Sequence, residues 1–376
     1  MKRACIFITA ASVFVLAISL FCASPSKAKA VDLPEWISNM KFKGDVRVRY
    51  QDEERDPIDE GGENSRFRVR WRAGFETQIN DYWSAGFGLA SGGDDPRSTN
   101  QTLEDTFETG DARLNYAYAE FHTGPVSVLA GKFKNPIWNP KDLLWDSDIT
   151  TDGVAAVFDF DAAENTSLFF TPAVFVLDEW KDTETEDLPT MLALQAGVKL
   201  DFAMPGYITF AGTYYANNNI EGNDWSEHSA ETNTTDIDGN WEYDHDAYSL
   251  EAEVGLTGLP VFVAAFGQYV TADVDDEDTG YLYGVKFGRK KVKNFMDWQV
   301  KVNYRHLEQN AWLDFLPDSD FLGGATNVEG MEYEFVLGLA KNVSLGLDYY
   351  QSEVIKGSID GVEEENLLQV DLVVKF

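Results

Sequence analysis

Residues 65–79, Ser-Arg-Phe-Arg-Val-Arg-Trp-Arg-Ala-Gly-Phe-Glu-Thr-Gln-Ile, alternate in character along the whole stretch. Phe67, Val69, Trp71, Ala73 and Phe75 fall on one face of an extended chain, and Arg66, Arg68, Arg70, Arg72, Gly74 and Glu76 on the other. Such a period of two is a strand, longer than most in globular sheets, and no helical spacing fits it. The two faces require different surroundings. With the arginine face against lipid, each guanidinium would cost ~2–4 kcal/mol at the bilayer midplane. Four would cost roughly 8–16 kcal/mol, the scale of a whole domain's stability. The aromatic face is therefore the one that meets lipid, and the arginines meet water.

The same rhythm recurs at Tyr281-Tyr283-Val285-Phe287, Met296-Trp298-Val300-Val302-Tyr304, Met331-Tyr333-Phe335-Leu337-Leu339 and Leu368-Val370-Leu372-Val374-Phe376. Strands are expected at 41–51, 65–79, 82–91, 111–123, 126–134, 152–161, 165–176, 190–202, 206–216, 246–257, 260–272, 279–289, 294–308, 329–340, 343–354 and 364–376. Short turns alternate with long acidic loops at 52–64, 92–110, 135–151, 177–189, 217–245, 273–278, 309–328 and 355–363. Sixteen strands with this alternation predict an all-β, up-and-down antiparallel transmembrane barrel. A barrel of that size leaves an aqueous lumen. A soluble β-sandwich could also bury an aromatic face. Against it stand the number of long strands of one parity, the aromatics near short turns (Trp83, Phe121, Phe160, Phe202, Tyr207, Phe295) and the ending on Phe376. The alternating ending Leu372, Val374 and Phe376 resembles the signal by which outer-membrane barrels are recognised for assembly.

Met1-Lys2-Arg3, the uncharged run Ala4–Ala23 and Ala28-Lys29-Ala30 read as a secretory signal peptide cut after Ala30. A membrane anchor is the weaker reading, and a lipoprotein site at Cys22 would need a small residue where Phe21 stands. Cys5 and Cys22 both fall in this leader, so no disulfide holds the exported chain. Residues 31–40, with Trp36, form a short lead-in, and 41–376 form the barrel. The formal net charge of −34 argues against nucleic acid, whose phosphates need a basic footprint.

Lys43-Gly44-Asp45-Val46-Arg47-Val48-Arg49-Tyr50 resembles the first strand of the bacterial putative porin family, and Arg66-Phe67-Arg68-Val69-Arg70 resembles its second. Ser91–Leu103, Ala130-Gly131-Lys132-Phe133 and Leu144-Trp145-Asp146-Ser147-Asp148-Ile149 are similar to later segments. The likeness covers about residues 43–160; beyond that only the barrel rhythm and Phe376 carry it. It implies a channel in the bacterial outer membrane, reached through the periplasm and inserted by the barrel assembly machinery. Outer-membrane lipid and lipopolysaccharide would surround it, and small hydrophilic solutes would pass through it. Analogy with porins of this size implies a homotrimer and a third long loop, 135–151, folded into the lumen. The resemblance supplies no particular solute and no residue roles.

By parity, Arg47 and Arg49 share a lumen face with Asp45; Arg66, Arg68, Arg70 and Arg72 stand beside them, and Arg113 is expected to join. Same-face neighbours lie ~7 Å apart, and two such charges repel by roughly 2 kcal/mol at an effective dielectric of about 20. The stack needs water, counter-ions or facing acids, and Asp142, Asp146 and Asp148 in loop 135–151 can supply acids. The expectation is a constriction between an arginine wall and an acidic loop. The alternatives are a salt-bridged lumen without selectivity, an anion- or substrate-specific channel, and a plugged barrel that binds a partner. Glu251, Glu253, Glu332, Glu334, Asp348 and Asp371 also face the lumen by parity and oppose a purely anionic path.

Asp273–Asp278 lacks the spacing of a calcium loop and reads as solvated, though such loops could bridge to lipopolysaccharide through divalent ions. Trp225 and Trp241 read equally as a sugar contact or as loop anchors. His122, His228, His245 and His306 have no companion Ser and acid at matching depth, which argues against an enzyme. No cofactor or metal motif stands out; Cys-x-x-Cys-His is absent.

Overall fold

In the computed structural model, residues 34–56, 63–104, 106–107, 109–178, 188–202, 205–226 and 229–376 are described. The expected leader, residues 1–30, and His228 lie outside them. Residues Glu35–Ser38 form one helical turn, with Ser38 Oγ donating to the Glu35 carbonyl at 2.8 Å.

From residue 41 onward, the strands are β1 (Lys41–Asp56), β2 (Glu63–Gln78), β3 (Trp83–Ala90), β4 (Gln101–Thr102), β5 (Arg113–Thr123) and β6 (Val126–Lys134). Next come β7 (Thr150–Ala163), β8 (Thr166–Val176), β9 (Thr190–Asp201), β10 (Gly206–Asn218), β11 (Ala247–Leu256) and β12 (Phe262–Ala272). The last are β13 (Thr279–Gly288), β14 (Trp298–Leu307), β15 (Val328–Ala340), β16 (Val343–Val354) and β17 (Glu364–Lys375). All belong to one antiparallel sheet in which chain neighbours pair, save that β3 pairs with β5 and β4 with β2, and β17 closes it against β1 from Asp45↔Lys375 to Asp56↔Glu364. The result is a closed barrel of sixteen long strands plus the two-residue β4.

Two departures from the expected strands have local causes. β4 is too short to show any alternation; it pairs Thr102 and Gln101 with Arg68 and Val69 beyond the point where the short β3 stops. β14 begins at Trp298 rather than at 294. There the Asp297 carboxylate accepts the Lys293 and Asn294 amides at 3.2 and 2.8 Å, and Met296 takes φ 63°, so a side-chain-capped turn consumes these residues.

The barrel is apolar outside and charged inside. Val46, Val48 and Phe67 are 43%, 43% and 56% exposed, whereas Asp45, Arg49 and Arg70 are buried. This is the reverse of a water-soluble sandwich, and the parity argument therefore holds in space. Rings cluster outward beside the short turns, as with Trp83 and Phe121 at 5.3 Å. Such belts suit the membrane–water boundary.

The interior is not empty. The largest fully buried side chains include Trp225, Trp312, Tyr215, Phe133 and Phe175. Of these, the two tryptophans come from the connections β10–β11 (219–246) and β14–β15 (308–327), which pack with residues of the β6–β7 connection (135–149). The long loop expected at 309–328 is present, but it packs into the interior. Its three aspartates are spaced by Ala311, Trp312, Leu313, Phe315, Leu316, Phe321 and Leu322, all buried.

Val48 faces outward at mid-strand, opposite Val69 on β2 and Leu372 on β17. Replacing it with Arg is expected to destabilise the barrel by ~2–4 kcal/mol in lipid vesicles. Urea unfolding against a Val48→Leu control measures this.

Candidate functional site

Cross-strand register sets like charges face to face. Arg47 lies opposite Arg70 and Arg49 opposite Arg68, while Asp45 faces Arg72 and Gln51 faces Arg66. Directly opposed like charges destabilise a sheet, so the pattern persists only with compensation. Asp45 accepts from Arg70 and Arg72 at 2.8 and 2.9 Å. From β17, Asp371 takes Arg49 in a two-point bond, 2.8 Å at each oxygen, and Arg47 at 3.4 Å. Glu53 takes Arg66 at 3.3 Å.

Three loops add the rest. Asp148 meets Arg72 at 2.9 Å and Arg70 at 3.7 Å, and Asp320 meets Arg49 at 3.1 Å. In the β3–β5 connection, Asn100 accepts from Arg47 at 2.5 Å, Ser98 from Arg68 at 3.3 Å, and Thr99 donates to Asp148 at 2.9 Å. Arg68 has only Gln51 and Ser98, with no carboxylate in ion-pair range among the described residues. Arg113 stands apart from this wall, half-exposed and paired with Asp94 and Asp111.

Asp142 is also elsewhere. It belongs to a second cluster around Arg305 of β14, whose Nη2 reaches Asp142 at 2.8 Å and Asp318 and Glu332 at 3.3 Å. Lys141 bonds Asp142 at 2.6 Å and Glu332 at 3.0 Å. Asp142, Asp318 and Glu332 bring their oxygens close enough for a metal ion, but Lys141 and Arg305 already fill that role. Arg305 was missing from the sequence reading; the signal was its inward parity with Lys301 and Asn303.

Asp146 joins two loops. Its carboxylate accepts the Asp148 and Ser319 amides at 2.8 and 2.9 Å, and its own amide donates to the Leu316 carbonyl at 2.7 Å. Beside it, Trp312 Nε1 donates to the Leu144 carbonyl at 2.6 Å and packs edge-on against Trp145 and Tyr215. Asp314 Oδ2 collects Ser229 Oγ, the Thr232 amide and hydroxyl, and the Asn233 amide. Trp225 stacks on Phe315 at 5.2 Å, and Trp241 lies 5.9 Å from it. Both tryptophans are therefore anchors inside the fold, not surface contacts. His245 is buried under Trp241, and His306 bonds Glu329 at 2.6 Å.

Burial raises the Asp146 carboxyl, and the Asp318 and Asp148 charges add to it. Burial, then the Asp142 charge, pushes Asp318 up to about 8. Burial acts the same way on Asp142, Asp148 and Asp320, but their cationic partners outweigh it and hold all three low, Asp142 at about 2.

A family model described as "Putative porin" matches residues 54–245 and 233–376. The chain belongs to the putative porin family. Its fold agrees with solved porin structures at low identity. OprB of Pseudomonas putida aligns with a TM-score of 0.58 and 10% identity over 90% of this chain and 95% of that one. OmpT of Vibrio cholerae gives 0.51 and 11% over 90% and 99%, and the outer membrane channel DcaP of Acinetobacter baumannii 0.50 and 14% over 90% and 97%. A search of curated protein sequences returns no match. This member of the putative porin family is thus an outer-membrane channel of bacteria and not an enzyme.

A carboxyl raised on folding supports the fold while protonated and loses that advantage as pH rises toward its folded pKa. The contact between loops 135–149 and 308–327 is therefore expected to loosen between 3.8 and about 8, the ordinary and folded values of Asp318. Protease susceptibility of the two loops across that range checks it, and Asp318→Asn flattens the dependence.

Proposed function

We propose that this porin family member is a water-filled channel for passive diffusion of ions and small hydrophilic solutes. Its narrowest part lies between the arginine wall of β1–β2 and the acids of loops 135–149 and 308–327. The observation that carries this reading is the sorting of charge by element: the arginines stand on the barrel wall, and two loops bring acids to meet them. Arg47, Arg49, Arg68, Arg70 and Arg72 come from the wall, while Asp148 and Asp320 come from two different loops. A transverse field of this kind orients dipolar solutes and filters ions. Two cavities, of about 530 and 400 Å³, share Asn115, Asp148 and Thr150, which supports a path along the β2–β6 side of the lumen.

Outward-facing Leu372, Val374 and Phe376 support the reading of an assembly signal at the closing strand. A homotrimer is part of the proposal; the similar OmpT structure is described as a trimer form. The apolar packing of three loops favours a second reading, a barrel plugged for partner binding.

Planar-bilayer current from the folded protein separates the two. Discrete conductance steps are expected, and their absence from inserted, folded protein overturns the open channel. Within the channel, Arg68 is the sensitive residue because no carboxylate neutralises it. In water a unit charge ~7 Å from the path is worth about 0.6 kcal/mol, so reversing it is worth about 1.2 kcal/mol. The cation and the anion shift by this amount in opposite directions, so Arg68→Glu is expected to raise the cation-to-anion permeability ratio about fiftyfold, at ~1.4 kcal/mol per decade. The zero-current potential under a salt gradient reads it, and an unchanged potential overturns the constriction.

A further inference from the structure

Several cations of this chain have no carboxylate partner among the described residues, and a group of them gathers at the short-turn end. With 64 acids to 30 cations, carboxylates are abundant. Lys43, Lys132, Lys141, Lys286, Lys301 and Lys356 each hold one. At the short-turn end, Lys290, Lys291 and Lys293 of the β13–β14 turn, Lys341 of the β15–β16 turn and Lys375 of β17 have no carboxylate partner among the described residues. The nearby Asp297 is already taken by Arg289 at 3.2 Å and by two backbone amides.

Four of these lysines converge on one cavity. Lys290, Lys291, Lys293 and Lys375 line about 460 Å³ together with Gln299, Asn342 and Ser344. Gln299 is on the inward face of β14, in step with Lys301, Asn303 and Arg305, and Ser344 is in step with Asp348 on β16, so the cavity opens on the lumen. Gln299 donates to the Arg289 and Lys290 carbonyls at 2.6 and 3.2 Å and so holds the basic turn over the cavity. Lys290 is also set in place, 4.1 Å over the Tyr207 ring. Lys375 also lines the adjoining cavity of about 530 Å³, together with Lys134 and with Arg72, which Asp45 and Asp148 neutralise.

Resting on the channel reading, we propose that the short-turn mouth is a binding site for small anionic solutes bearing phosphate or carboxylate groups. Several ammonium groups around one cavity, with hydroxyl and amide donors beside them, suit a compact anion with many oxygens. The long-loop end is acidic, as at Asp273–Asp278, so the two mouths differ in sign. The pore therefore holds anions at the short-turn end and cations at the other, and this end decides which anions dwell in it.

The test is titration of pyrophosphate into the folded full chain, once in zwitterionic and once in anionic phospholipid nanodiscs. The variant Lys291→Gln/Lys293→Gln spares Lys290 on its ring and Lys375 in its strand. Saturable binding in zwitterionic discs, weakened at least tenfold in the variant and preserved in anionic discs, is the expected result. Binding unchanged by the variant overturns the site, as does its abolition by anionic lipid, which would mean that the lysines read lipid headgroups. Lys293→Glu provides a second reading, in which weaker binding with an intact barrel supports the site and unaltered binding overturns it. Conductance of the unmodified protein is measured separately, so failure of the channel reading is distinguishable from failure of this one.

Discussion

The guanidinium groups of Arg47, Arg49, Arg66, Arg68, Arg70 and Arg72 point inward from two neighbouring strands, all but that of Arg68 are met by a carboxylate, and the need for this compensation organises the interior. Arg47 opposite Arg70 and Arg49 opposite Arg68 place like charges in direct register. Asp45 neutralises part of the wall from within the same hairpin. The remainder is supplied from far along the chain, by Asp148, Asp320 and Asp371. Removing one partner of such a buried pair leaves an uncompensated charge, which is far more costly than the pair is stabilising. The loops that bring these acids are thus tied to the wall by electrostatics and to one another by apolar packing around Trp312 and Trp145.

Much of the architecture was legible in the alternation alone, because a membrane barrel must be apolar at each second position along every strand. Phe67, Val69 and Trp71 announced their face, and the arginines between them announced the other. Strand ends at side-chain-capped turns were less legible. The Asp297 cap at the β13–β14 turn competes with the strand through local hydrogen bonds that leave no periodic trace. The two-residue β4 had no period to show.

The site was legible only in part, for a related reason. Parity places a side chain inside but does not say which part of the interior it meets. Asp148 does reach the wall, whereas Asp142, six residues earlier in the same loop, pairs across the lumen with Arg305. Loop 308–327 was hidden for a different reason. Its Asp314, Asp318 and Asp320 mark it as acidic, while its tryptophan, phenylalanines and leucines bury it. Asp314 could be buried because four donors from loop 219–246 meet a single oxygen.

The closing pair of strands has a consequence for assembly. Arg49 receives its two-point partner from Asp371, which lies on the final strand, 322 positions further along the chain. Until that strand arrives, the first hairpin carries arginines that its own Asp45 can only partly neutralise. Ring closure and charge neutralisation are therefore one event, and a barrel left open at this seam stays electrostatically unfinished. The arginine wall is thus also an internal check that the first strand has met the last.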